Sequence, residues 1–150
     1  MKVALATDHG GYSLKDEIAA LVDELGHERL DLGAHQFDAA DDYPDFARYV
    51  GQAIQHGQAD RGIVLCGSGV GACIAANKHK GVRAGLCHDT YTARQGVEHD
   101  KMNVLCLGAR VIGLETAREV VRAFLGATFQ GDEERFTRRL EKVMAIEAGN

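Results

Sequence analysis

No apolar run in this chain approaches the roughly 20 residues that a helix needs to cross a bilayer, which excludes a membrane-spanning helix and argues against a membrane partner. An excess of positive charge is also missing. Lys and Arg number 17 against 22 Asp and Glu, a net charge of −5, which argues against nucleic acid as the main partner. There are only four cysteines, at positions 66, 73, 87 and 106, and none forms a CxxC pair. Cys73, Cys87 and Cys106 read as buried, reduced thiols. Seven histidines without HxH or HExxH spacing outline no metal cage, so no metal is expected. The dinucleotide pattern GxGxxG and the Gly-Lys-Ser/Thr of a nucleotide loop are absent too, which discourages a nucleotide-binding module. One proline, 45% apolar residues and no low-complexity tract describe a single compact domain over residues 1–150. The first residues, Met1 to Asp8, turn polar too soon for a secretory leader, so the cytoplasm is the expected compartment.

Strand-like and helix-like patterns alternate along the chain. Strands are predicted at Lys2–Thr7, His27–Leu32, Arg61–Leu65, Val82–Cys87 and Asn103–Leu107. Helices are predicted at Ser13–Leu25, Tyr43–Gln55, Ala72–Asn77, Thr90–Val97, Glu115–Leu125 and Arg135–Ile146. Five strands, each followed by helical sequence, call for a three-layer α/β/α Rossmann-like fold around a five-stranded parallel sheet. Ligands of such sheets bind beyond the carboxyl ends of the strands, where strand order reverses. Polar residues just after strands are therefore the site candidates.

The strongest candidate is Cys66-Gly67-Ser68-Gly69-Val70-Gly71, which follows the apolar run Gly62–Leu65. A buried strand that breaks into alternating glycines before a helix presents backbone N–H groups to an anion. A thiol beside such a helix start is expected to ionise more easily, as base or nucleophile. Ser68 either donates to a substrate oxygen or bonds its own loop. After the first strand, Asp8 and Ser13 fit helix caps, while His9 can meet a phosphate or hydroxyl. His99 precedes the fifth strand and Arg110 follows it. Arg135 and Arg139 are four residues apart and share a helix face, where they are either solvated charges or a phosphate clamp.

Five motifs in order resemble the ribose-5-phosphate isomerase B family, which includes galactose-6-phosphate isomerase subunits. They are Asp8-His9-Gly10-Gly11, Asp42-Tyr43-Pro44, the Cys66 loop with Ala75-Ala76-Asn77-Lys78, His99 with Asn103-Val104-Leu105, and Gly108 to Gly113. The resemblance runs nearly end to end. It implies aldose–ketose isomerisation of a phosphorylated sugar through an enediolate, without metal or other cofactor. The implied substrates are ribose 5-phosphate and ribulose 5-phosphate. Erythrulose 4-phosphate, allose 6-phosphate and galactose 6-phosphate are the alternatives within the same chemistry.

By position, the resemblance makes Cys66 the base between C2 and C1 and His99 the acid that opens the sugar ring. Ser68 would shuttle the proton between O1 and O2, and the amides of Gly67, Ser68, Gly69, Val70 and Gly71 would hold the enediolate. His9, Arg135 and Arg139 match the phosphate ligands, with Asp8, Tyr43 and Arg110 around the sugar. Many members have Asn where this chain has Asp100. A carboxylate there would repel the enediolate unless it were protonated, turned away, or paired with Lys101 or a substrate hydroxyl. The resemblance also implies a homodimer or homotetramer with sites shared between subunits. A non-catalytic subunit of a mixed assembly is the alternative, and the presence of both Cys66 and His99 argues against it.

Overall fold

The computed structural model describes residues 1–149. Its five strands are β1 (Lys2–Thr7), β2 (Glu28–Asp31), β3 (Arg61–Cys66), β4 (Ala84–Leu86) and β5 (Val104–Gly108). They form one parallel sheet in the order β2-β1-β3-β5-β4. Six helices alternate with them: α1 (Tyr12–Glu24), α2 (Tyr43–Gln55), α3 (Val70–Ala76), α4 (Thr90–Asp100), α5 (Leu114–Gly126) and α6 (Glu134–Glu147). None of these helices is long and apolar enough to cross a membrane.

The two faces of the sheet are covered differently, because side chains alternate along each strand. Val3 and Leu5 of β1, Ile63 and Leu65 of β3, and Leu105 and Leu107 of β5 face one way. They are packed by Ile18, Leu21 and Val22 of α1, Val97 of α4, and Val120 and Phe124 of α5. The intervening Ala4, Ala6, Val64, Cys66, Val104 and Cys106 face the other way, under Ala47, Val50 and Ala53 of α2 and Ala72 and Ala76 of α3. Small residues on this second face let α2 and α3 sit close to the sheet.

Three elements differ from the sequence reading by two residues or more at one end. α3 starts at Val70, two residues early, because Gly69 adopts φ +81° and turns the chain straight into the helix. β4 is only three residues long, and just before it the Arg83 N–H is taken by the Asn103 side-chain oxygen (2.8 Å) rather than by a strand carbonyl. α4 runs on through Asp100 and closes at Lys101 with φ 53°, so His99 and Asp100 lie inside a helix.

Growth of the sheet reverses at β1: β2 is laid down on one side of it and β3 on the other. The carboxyl ends of β1 and β3 flank that reversal, and they carry Asp8 and Cys66. The long 32–42 loop is tied back to the same edge. Thr7 N donates to Gly33 O (2.8 Å) and Ala34 N to Thr7 O (2.9 Å). The buried Lys15 adds Nζ bonds to Ala34 O (2.8 Å) and Asp31 Oδ1 (3.0 Å).

Candidate active site

Two turns meet at the reversal with almost no side chain between them. A Cβ on Gly10 would stand 2.7 Å from Gly67 N, and one on Gly11 would stand 2.4 Å from Leu65 C. Glycine at both positions lets the backbone after β1 lie directly on the end of β3. The Asp8 carboxylate is thereby turned inward, with only 5% of the residue exposed. Its Oδ1 accepts from Gly11 N (3.1 Å), and its Oδ2 accepts from the Cys66 thiol (3.3 Å).

Cys66 is 7% exposed. Burial pushes its thiol up, and the Asp8 charge and hydrogen bond push the same way, while the Gly69 and Gly67 amides pull it down. The balance lies above the ordinary thiol value. This corrects the expectation from the helix start alone: desolvation beside a carboxylate outweighs the loop dipoles.

The rest of the loop gathers further candidates. Ala109 N donates to Cys66 O (2.9 Å) and Arg110 N to Gly67 O (3.0 Å), which ties the turn after β5 to the loop. The Arg110 guanidinium then lies 3.5 Å from where a Cβ on Gly67 would be. The Tyr43 ring covers Gly71, 2.6 Å from the corresponding Cβ position. Ser68 is exposed, and its Oγ accepts from Val70 N (3.3 Å), leaving the hydroxyl proton free to donate.

His9 lies beside this group. Its ring Nδ1 is 2.6 Å from Asp41 Oδ1, which also accepts from the His9 backbone N at 3.0 Å. The Asp41 hydrogen bond raises the imidazole above its ordinary value; partial burial opposes this, and the Asp41 and Asp8 charges support it. Ligand atoms of Asp8, His9 and Asp41 lie within 4.8 Å of one another. Both Asp8 oxygens accept from protein donors, and the 2.6 Å His9–Asp41 contact is a hydrogen bond.

The remaining candidates form a second group, on α4 and α6. The half-buried His99 has its Nδ1 2.9 Å from Gln95 Nε2. With the amide as donor, the ring proton resides on Nε2. The His99 ring stacks on Phe136, with centroids 4.0 Å apart at 17°, and the Arg135 guanidinium lies 4.5 Å from the same Phe136 ring. Arg135 and Arg139 are exposed one turn apart. Asp100 is exposed and lines a cavity of about 440 Å³ with Arg83, Leu140 and Val143. None of the residues lining that cavity belongs to the Cys66 loop. Among the described residues, no hydrogen bond or ion pair joins the two groups.

Four residues here escaped the sequence reading. Asp41 and Phe136 show no pattern of their own: one lies near the end of a loop, and the other reads as an ordinary apolar helix position. Gln95 carried a signal, lying one helical turn before His99. His88 did as well, since it directly follows the strand predicted at Val82–Cys87; its Nε2 accepts from Gly108 N at 2.9 Å.

A family model described as Ribose/Galactose Isomerase matches residues 3–143. The ribose-5-phosphate isomerase B of Escherichia coli (strain K12) is 44% identical over 146 residues, 97% of this chain and 96% of that protein. A D-erythrulose-4-phosphate isomerase of Pectobacterium atrosepticum is 40% identical over 134 residues, covering 87% and 86%. The solved structure of Clostridium thermocellum ribose-5-phosphate isomerase B matches with a TM-score of 0.94 at 46% identity, covering 99% of each chain.

Proposed function

The chain belongs to the ribose/galactose isomerase family, and on that premise we propose that it interconverts D-ribose 5-phosphate and D-ribulose 5-phosphate. The observation that carries this reading is the buried Cys66 thiol on a glycine loop, bonded to Asp8 where the sheet reverses. A carbon acid beside a carbonyl is weak, so the enzyme must stabilise charge developing on oxygen. Fixed loop amides do so without reorganising.

In the proposed mechanism, His99 donates its Nε2 proton to the ring oxygen as the bond from that oxygen to C1 breaks. The C1 hydroxyl gives its proton to water to leave the aldehyde, and His99 regains a proton from solvent. The raised Cys66 thiol first passes its proton to Asp8 Oδ2. The thiolate then removes the C2 proton, and the thiol so formed exchanges with solvent and protonates C1 of the enediolate. The Ser68 hydroxyl moves the proton between O1 and O2, and the loop amides from Gly67 to Gly71 hold the oxyanion. Tyr43 and Arg110 flank the sugar. His9, Arg135 and Arg139 take the phosphate, whose binding energy holds the reacting carbons in place.

Among the described residues, no hydrogen bond or ion pair joins the two groups described above within one chain. That supports a homodimer in which His99, Arg135 and Arg139 of one copy complete the Cys66 site of the other. α6 offers a surface for such pairing, with Val143, Met144 and Ile146 exposed along it, and on α3 Val70 and Ile74 are exposed too. Large apolar side chains left exposed on a helix face are a usual mark of an interface.

Two measurements test the reading. With ribose 5-phosphate in deuterated water, the enzyme should wash deuterium into the product, and Cys66→Ala should abolish both exchange and turnover. Comparison of kcat/KM across tetrose, pentose and hexose phosphates should place ribose 5-phosphate first. Preference for erythrulose 4-phosphate would replace the substrate assignment while leaving the chemistry in place.

A further inference from the structure

One carboxylate beside the site has no part in this reaction. Asp41 lies near the end of the 32–42 loop, and its Oδ1 accepts two bonds from the same residue, His9 N and His9 Nδ1. Its Oδ2 is buried with no hydrogen-bond partner among the described residues. The Asp41 side chain is 11% exposed, against 32% for His9. A carboxylate this dry needs a neighbouring positive charge.

The charged groups that face His9 are Asp41 on the loop, Asp8 after β1 and Arg110 after β5. Phe37 meets the imidazole edge-on at 6.5 Å, and the Tyr12 ring packs against the same Phe37 at 5.8 Å. Asp8 already accepts bonds from Gly11 N and the Cys66 thiol. The Asp41 charge is left to His9.

Tautomer chemistry then restricts what His9 can offer a ligand. Nδ1 must carry a proton to bond Asp41, so a neutral ring would present a bare Nε2 lone pair outward. A lone pair repels phosphate oxygens, whereas an imidazolium offers Nε2–H and a charge-assisted bond. The two bonds to Asp41 also fix the ring in rotation. We propose that Asp41 is a positioning residue: it holds His9 as an imidazolium and aims Nε2–H at the substrate's phosphate. This rests on the reading of His9 as a phosphate ligand.

Asp41→Asn keeps an acceptor for both His9 bonds and removes the charge. Titration of the His9 ring by ¹H–¹⁵N NMR should place the wild-type imidazole above the free value of about 6.5 and the variant at least about one unit lower than wild type. At pH 8, KM for ribose 5-phosphate should rise roughly tenfold in the variant, the affinity equivalent of one unit. kcat should stay within about twofold, and KM should approach wild type near pH 5.5, where both rings are charged. A wild-type His9 titrating at or below the free value overturns the proposal without any variant. So does an Asp41→Asn enzyme with an unchanged KM–pH profile. Inorganic phosphate, followed through the His9 resonances, gives a readout without turnover. If phosphate weakens in step with His9 deprotonation in an enzyme inactive on ribose 5-phosphate, the Asp41 role stands and the substrate assignment fails. If phosphate leaves His9 unmoved, the Asp41 role fails.

Discussion

The Cys66 thiol donates to Asp8 Oδ2 across 3.3 Å, between the strands where the sheet reverses its direction of growth. Burial raises the thiol, so a thiolate at neutral pH needs a local proton acceptor, and Asp8 is in contact. Asp8→Asn removes both the acceptor and the charge that disfavours the thiolate. The rate at pH 7 should fall by about 10²-fold, within the range for acid–base groups. It should then climb with pH as the thiol ionises to solvent instead. A pH–rate profile parallel to wild type would show that Asp8 takes no proton from Cys66.

Gly69 holds φ +81° at the start of α3, with its Cβ position 2.6 Å from Leu86 Cδ1 and 3.0 Å from Leu107 C. Gly69→Ala therefore meets both backbone strain and a clash with the core of the loop. The expected loss of stability is about 1–3 kcal/mol, with a larger loss of kcat as the loop amides shift. Denaturant unfolding beside steady-state kinetics reads both. A variant with wild-type stability would mean that the loop relaxes at little cost.

Phe136 is 1% exposed and stacks with His99 while supporting Arg135. Removing the whole ring would cost about 3–5 kcal/mol and endanger the docking of α6. Phe136→Leu keeps most of the volume and loses the flat surface. It should lower kcat through His99 and raise KM through Arg135 in the same enzyme, with little change in melting temperature. Kinetics like those of wild type would deny the ring any role beyond packing.

Cys66 is not the thiol set to react first with an alkylating agent. Cys73 is partly exposed on α3, and the hydrogen bond from the Cys106 thiol lowers it to about 7. Cys66, Cys87 and Cys106 are buried and raised. Because the thiolate is the nucleophile, iodoacetamide at pH 7 should label Cys73 on the order of tenfold faster than Cys66. Peptide mass mapping over time measures this directly, and earlier labelling of Cys66 would contradict the burial and charge argument.

The layers and strand number were legible because buried strands such as Val3–Ala6 and Ile63–Leu65 differ sharply in pattern from α1 and α2. Helix α2 has the predicted residues, since Asp42 and Pro44 mark its start. The extension of α4 was hidden, because Glu98, His99 and Asp100 carry no apolar residue to continue the stripe. Site candidates could be found wherever a polar residue follows a strand. Their electrostatics could not, because they depend on contacts distant in sequence. Cys66 and Asp8 are 58 positions apart, and His9 and Asp41 are 32. The division into two groups was equally invisible, since it depends on how α6 docks on α4 and away from the Cys66 loop.

Lys15 is the buried cation that anchors the 32–42 loop, through Ala34 O and Asp31 Oδ1. Burial raises the Asp31 carboxyl, but the Gly33 N–H and Lys15 together outweigh it and hold the group below its ordinary value. A carboxyl depressed in the folded state adds stability above its unfolded value of 3.8, and that contribution is lost as pH falls through the lower, folded value. Lys15→Met fills the space, removes the ammonium and leaves Ala34 O without its donor. Stability at pH 7 should drop by about 1–3 kcal/mol. Loss of the Lys15 charge and hydrogen bond should let the Asp31 carboxyl rise, so the acid unfolding midpoint should move to higher pH. Circular dichroism followed from pH 7 to pH 2 tests both parts. An unmoved acid midpoint would show that Arg29, 3.5 Å from Asp31, holds the carboxylate without Lys15.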